Sequence, residues 1–134
     1  MSSRFVKQSD VEQEQFDWGV IGWRCVPATG AKQLVVMDVA LAPGEGHDFH
    51  THPGQEEMII VKQGRITQYL EQESTTLEPE DSVFIEADVV HASFNEGDEL
   101  ALLQVVIAPS LGEGSGYGLV DVSGEEPWAS LRSR

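Results

Sequence analysis

The feature that most narrows what this chain can become is its punctuation. From Trp18 to Ala108 the apolar residues come in short runs rich in Val and Ile, and each is broken within a few residues by Gly, Pro, Asp or Asn. No run carries the 3.6-residue period of an amphipathic helix. The pattern predicts an antiparallel all-β domain with nine strands, over residues 18–26, 33–41, 49–51, 57–61, 65–70, 74–77, 82–86, 92–95 and 100–108. Turn chemistry falls between them, at Ala42-Pro43-Gly44-Glu45-Gly46, Lys62-Gln63-Gly64, Pro79-Glu80-Asp81 and Asn95-Glu96-Gly97-Asp98. So many short strands close into a sandwich or barrel. The runs at 33–41 and 100–108 are nearly continuously apolar, which suits strands covered on both faces, by the barrel interior and by a second copy of the chain. A homodimer is therefore expected.

At 134 residues the chain holds one core. It divides into a short N-terminal arm (1–17), the β domain (18–109) and a Gly-rich tail (110–134) that is expected to be mobile, with Trp128 and Leu131 as its only good anchors. Within the arm, Ser9 and Glu12 have the spacing of a capping box, so a helical turn is expected before Phe16. Eight Lys and Arg stand against 23 Asp and Glu, a formal charge of −15. A surface so acidic repels nucleic-acid phosphates and anionic lipid, which excludes both as partners. Ten of the acids fall between Glu71 and Glu99 with no basic residue among them, a solvated face or a cation-attracting rim. A lone cysteine, Cys25, allows no disulfide within the chain, and no apolar stretch has the length of a signal peptide core or a membrane span. A cytoplasmic location is the expectation.

The chemistry concentrates in the segment GEGHDFHTHPGQEEMIIVKQG, residues 44–64. His50 and His52 are two apart, so on an extended strand both imidazoles leave one face. Glu57 lies beyond a Pro-Gly turn, where the next strand can fold it back beside them, and His91 can close the set in three dimensions. Glu56 is the rival carboxylate, and strand alternation allows only one of the pair to point inward. Three imidazole nitrogens and a carboxylate oxygen suit one divalent transition metal, Fe, Mn, Ni, Zn or Cu, and the lack of thiolate argues against a purely structural zinc. His47 is read as exposed, with a supporting contact to a ligand, or a place as an alternate ligand, as the alternative. Arg24 is read as facing solvent or a subunit contact, with a substrate carboxylate as the alternative. Trp18, Trp23, Phe84 and Phe94 are read as core or interface, with a stacking platform as the alternative.

The spacing Gly-x5-His-x-His-x4-Glu-x6-Gly, here Gly44, His50, His52, Glu57 and Gly64, resembles the first motif of the cupin superfamily. The second cupin motif, Gly-x5-Pro-x-Gly-x2-His-x3-Asn, is matched in spacing with His91 and Asn95 in register. Glu80, Glu86 and Asp88 stand where the family usually has Gly, Pro and Gly. The resemblance covers residues 34–108 and implies a small single-domain jelly-roll barrel, with the metal held inside by His50, His52, Glu57 and His91. It also implies that Asn95 ties the strand end through backbone hydrogen bonds, while Ser93, on the same face as His91, can line the cavity.

Four donors leave an octahedral ion two open positions, for water, a chelating substrate, or substrate plus O2. The expected function is that of a metal-dependent enzyme acting on a small oxygen-bearing molecule: a keto or hydroxy acid, a sugar derivative or a diketone-like compound. Dioxygenase-like chemistry stands ahead of isomerase or lyase chemistry, and Glu86, Asp88 or Tyr69 is the candidate for moving a proton. The alternative is a non-enzymatic, sensor-type barrel that binds a metal or a small molecule.

Overall fold

The structure is a computed structural model and describes residues 4–132. Among these residues there are eleven strands: β1 (Glu12–Phe16), β2 (Gly19–Cys25), β3 (Val35–Leu41), β4 (Gly46–Thr51), β5 (Glu56–Gln63), β6 (Ile66–Leu70), β7 (Glu73–Leu77), β8 (Ser82–Ile85), β9 (His91–Phe94), β10 (Ala101–Ala108) and β11 (Val120–Asp121), followed by one short helix, α1 (Trp128–Leu131). They form two antiparallel sheets, in the order β1-β2-β3-β10-β5-β8 and β11-β4-β9-β6-β7. The architecture is an all-β jelly roll, as the punctuation of the sequence predicts.

Alternation decides the interior. In β3 and β10 every second residue is buried, so Val35, Met37, Val39 and Leu41 face Ala101, Leu103, Val105 and Ile107 inside the barrel. Ile21, Ile59, Val61, Ile66, Leu77 and Ile85 complete that core. A second, smaller cluster of Phe49, Val90, Ala92, Phe94 and Val122 lies under Tyr69, Trp128 and Leu131.

Residues of the expected arm and of the tail expected to be mobile both join the sheets. Residues 12–16 of the expected arm pair with β2 from Glu12↔Trp23 to Phe16↔Gly19. The 310 turn before them spans only Gln8–Asp10, and Glu12 is a strand residue rather than the end of a capping box. Four charged or amide side chains in a row have nothing to bury, yet they suit an exposed edge strand, where charge discourages further pairing. In the tail, Val120 and Asp121 pair with Thr51 and His50.

Glu80 and Asp88 have φ of 76° and 70°, the left-handed backbone that glycine supplies at those motif positions. The turns therefore keep their shape without the glycines, at a cost of roughly 1–2 kcal/mol each, less for Asp88, whose side chain tolerates this region. Among the described residues no helix is long and apolar enough to cross a membrane.

Candidate metal centre

His50 on β4 and His91 on β9 are direct cross-strand partners, with ring centroids 4.2 Å apart. His52 follows one residue past the end of β4, and Glu57 reaches across from β5 in the opposite sheet. All four are at most 6% exposed, and one ligand atom from each lies within 4.8 Å of the other three. Two donors, each about 2.1 Å from an ion, sit at most about 4.2 Å apart, so the set needs only a small contraction to hold one. Glu56 is exposed where Glu57 is buried, as alternation requires.

Hydrogen positions make the argument for a cation. Each imidazole gives its Nδ1 hydrogen to a backbone carbonyl: His50 to Asp48 O at 2.6 Å, His52 to Gly118 O at 2.7 Å and His91 to Val89 O at 3.0 Å. In the neutral ring that leaves Nε2 as a lone pair. Glu57 Oε1, also an acceptor, lies 2.8 Å from His91 Nε2 and 3.1 Å from His52 Nε2. Oε1 and His91 Nε2 are both buried and make no hydrogen bond of acceptable geometry. Lone pairs converging this closely need a positive charge between them, either extra protons or a metal ion. The donor set therefore fits a divalent metal site.

The electrostatics agree. Burial raises the pKa of Glu57, but the imidazoles of His52 and His91 outweigh it and hold the carboxyl below its usual range. Burial and the neighbouring imidazoles keep His50 well below the ordinary histidine value. Burial also lowers the pKa of His52, but contact with Glu57 and with the Gly118 carbonyl raises it further.

His47 does not face solvent. It lines the cavity, its ring stacked 3.9 Å from His50 and 4.1 Å from Trp18, and burial is the main cause pushing its pKa down to about 4. The reason is a β-bulge: His47 pairs with Ser93 and His50 with His91, so three steps on β4 match two on β9 and an odd spacing lands on one face. No local pattern in the sequence announces such an insertion. Tyr117, from the Gly-rich tail, also lines the cavity, edge-on to His52 at 5.4 Å. Its position between Gly116 and Gly118, where the chain can approach the barrel closely, was the available signal.

The three expected proton-moving residues do not reach the cavity. Tyr69 faces outward, 5.2 Å from the Phe49 ring and 5.9 Å from Phe94, because its strand neighbour Gln68 takes the inward position. Glu86 is exposed just past the end of β8. Asp88 is exposed and accepts a hydrogen bond from Gly54 N at 3.0 Å, bracing two turns. Ser93 lines the cavity and donates to Gln68 Oε1 at 2.6 Å. Asn95 donates to Leu41 O and Glu99 O and accepts from Gly97 N. Arg24 grips Asp38 through Nε and a terminal nitrogen, at 2.9 and 2.7 Å, and also donates to Gln8.

Rings surround the site. Starting from His50, successive contacts run through His47, Trp18, Phe16, Trp23, Tyr117 and His52 and return to His50, with centroid separations between 3.9 and 6.5 Å. Trp18 and Trp23 pack against the core, as expected, and also belong to this collar. The rest of the lining is mainly apolar, including Ile21, Met37, Val39, Ile59, Leu103 and Val105, and among the described residues that line it none is Lys or Arg.

Comparison with known proteins follows the same line. Residues 37–107 match the model of the cupin domain. The polyketide synthase CurC of Streptomyces cyaneus is 29% identical over 110 residues, covering 81% of this chain and 71% of that protein. The polyketide cyclase RemF of Streptomyces resistomycificus superposes with a TM-score of 0.72 at 21% identity, covering 94% of this chain and 90% of that one. A predicted oxalate decarboxylase of Thermotoga maritima gives a TM-score of 0.72 at 18% identity, covering 78% and 98%. With more than half of its length under that domain model and the jelly-roll barrel around the converged donors, this chain belongs to the cupin family.

Proposed function

We propose that this protein is a metal-dependent cupin enzyme whose substrate is a flat, uncharged, oxygen-bearing molecule of diketone type, and that it catalyses a cyclase-, isomerase- or lyase-type reaction. The observation that carries this reading is the contrast within one cavity: a pole of converging lone pairs set in an apolar, ring-lined wall with no Lys or Arg among the described residues that line it. A small dianion such as oxalate would bury two charges against the metal alone, whereas a diketone offers two chelating oxygens and an apolar body for the wall to cover. Two relatives named for polyketide chemistry support the same substrate class.

His50, His52, Glu57 and His91 would hold the metal, which supplies Lewis acidity to a bound carbonyl oxygen. The rest is the work of the chain. Trp18, Tyr117 and the stacked His47 orient a planar substrate, and the apolar wall excludes water. Burial first, then the Glu57 charge, pushes the Tyr117 hydroxyl up to about 12, so it keeps its proton at neutral pH and acts as a hydrogen-bond donor to a substrate oxygen.

A second reading, a non-enzymatic barrel that binds a metal or small molecule, is favoured by one observation. Among the described lining residues beyond the four donors and His47, none is an acid or base that ionises near neutral pH. The same proposal includes a cytoplasmic location and a homodimer, which would cover Met58 and Phe84, partners across β5 and β8 that are 37% and 52% exposed.

The test starts from protein purified without an affinity tag. Elemental analysis should find close to one transition metal per chain. Acetylacetone and a flat hydroxyaryl ketone should then quench tryptophan emission in the metal-loaded protein and be turned over, with oxalate inert. Binding without turnover of any diketone would favour the second reading, and oxalate consumption would overturn the substrate class.

A further inference from the structure

Gln55 follows the Pro53-Gly54 turn between β4 and β5 and is only 2% exposed, an unusual depth for an amide in a turn. Both ends of its amide are used. Nε2 donates to Pro109 O at 2.7 Å and to Gly116 O at 3.1 Å, and Oε1 accepts from Gly118 N at 3.0 Å. All three partners lie in the segment that follows β10. That segment is folded on itself by Leu111 N to Gly116 O and Gly116 N to Glu113 O, and it is seated closely on the barrel. Gly116 has φ of 89°, and a Cβ there would lie 2.7 Å from Val35 Cγ2 and 2.9 Å from Pro27 Cδ, so only glycine lets the chain lie this flat.

The same segment supplies Gly118 O to His52 Nδ1. Here the three imidazoles differ. His50 takes its acceptor from Asp48 on its own strand and His91 takes its from Val89 in the loop just before β9, each only two residues earlier, so both acceptors are local. The acceptor for His52 comes from 66 residues further along the chain. It is present only while the segment is seated.

We infer that residues 109–118 form a strap that Gln55 locks onto the barrel mouth, and that the strap, through the Gly118 carbonyl, holds His52 in the orientation and tautomer that metal capture requires. Gln55 is a positioning residue, since it acts on the donor set only through the strap. Because linkage is reciprocal, a metal held by His52 also favours the seated strap. Tyr117 rides on the same segment, so seating it completes the ring of aromatic contacts as well.

The inference rests on the metal-centre reading, and zinc titration separates the two. A full-length wild-type protein that binds no zinc overturns the reading of the site and the strap with it. If wild type binds zinc, chelator competition on Gln55→Ala and Gly116→Ala, neither of which touches a ligand, should show affinity weakened 10- to 100-fold, the range for losing a partner that orients a ligand. In the zinc-loaded variants the 15N shifts of the His52 ring should move away from those of a fixed Nδ1–H tautomer while His50 and His91 keep theirs. Weakened affinity with all three rings unchanged would mean a general loss of packing and would overturn the strap, as would unchanged affinity in a variant whose residues 109–118 have become readily cut by protease. Should neither variant fold, wild type alone decides. Saturating zinc must slow proteolysis within 109–118, and equal rates with and without zinc would sink the linkage.

Discussion

The two sheets put their apolar side chains to different use. In the six-stranded sheet, β3 and β10 turn Val35, Met37, Val39, Leu41, Leu103, Val105 and Ile107 into the barrel and leave mixed residues outside. In the five-stranded sheet the inward positions near the mouth are His50, His91 and Ser93, and the apolar residues of β4 and β9, Phe49, Ala92 and Phe94, point outward. A strand that lines a polar centre loses its inward hydrophobic burial and has to recover it on the other face. An outward apolar face then needs cover, and the chain supplies it from its own end. Val122, Trp128 and Leu131 pack over Phe49, and Arg132 lies over the Phe94 ring at 3.4 Å. The C-terminal segment is thus a consequence of where the donors are, as well as the source of Gly118 and Tyr117.

The largest effect that probes this contrast is at the inner face of the five-stranded sheet. Glu57→Ala leaves three imidazoles without the carboxylate from the opposite sheet, and bound metal should fall from about one per chain to background in elemental analysis. A variant that keeps its full complement would break the contrast at its root. Next come paired cavity mutants on the two faces. Leu41→Ala inside the barrel and Phe49→Ala outside it, both 0% exposed, should cost roughly 2–5 and 3–5 kcal/mol in urea unfolding, comparable losses on opposite sides of the two sheets. An outer mutant as mild as a surface substitution would show that the second cluster is no core. Trp128→Ala, at a half-buried position, should cost about 1 kcal/mol, sharpening how much of that cover the helix provides.

The smallest effect is a pH dependence. The Thr67 hydroxyl and then Arg132 hold the Glu96 carboxyl below its ordinary value. A carboxylate with a depressed folded pKa contributes stability above its unfolded pKa, about 4.3, and loses it as pH falls through the folded one. Wild type should therefore exceed Arg132→Ala slightly in urea midpoint at pH 7, and the gap should narrow as pH falls below the unfolded value. A gap that persists in acid would assign the role of Arg132 to its stacking on Phe94 instead.

Much of the molecule is legible in the amino-acid sequence, because the signals are local. The Val- and Ile-rich runs of β3 and β10, the turn residues at 42–46 and 62–64, and the His50, His52, Glu57 spacing are all readable within a few residues. The alternation of burial along β3 and β10 is not, because nearly every residue there is apolar. The misreadings share a different origin. Tyr69 was offered the cavity, but the inward place belongs to Gln68. His47, expected to be exposed, is brought to the cavity by one bulge. Glu86 and Asp88 were near the site in sequence and lie in exposed turns in space. Residues 12–16 lack any apolar alternation and still form an edge strand, since β2 offers them hydrogen bonds that composition does not reveal.

What the amino-acid order determined on its own was the class of fold and the chemical character of the donors, because sterics, alternation and ligand type act within a few residues. The tertiary structure alone decided which lone pairs meet, which ring nitrogen carries the hydrogen, and which distant segment closes the mouth. The contacts from Gln55 and His52 to Gly118 span 63 and 66 residues, and only the closing of the barrel brings such partners into hydrogen-bond range.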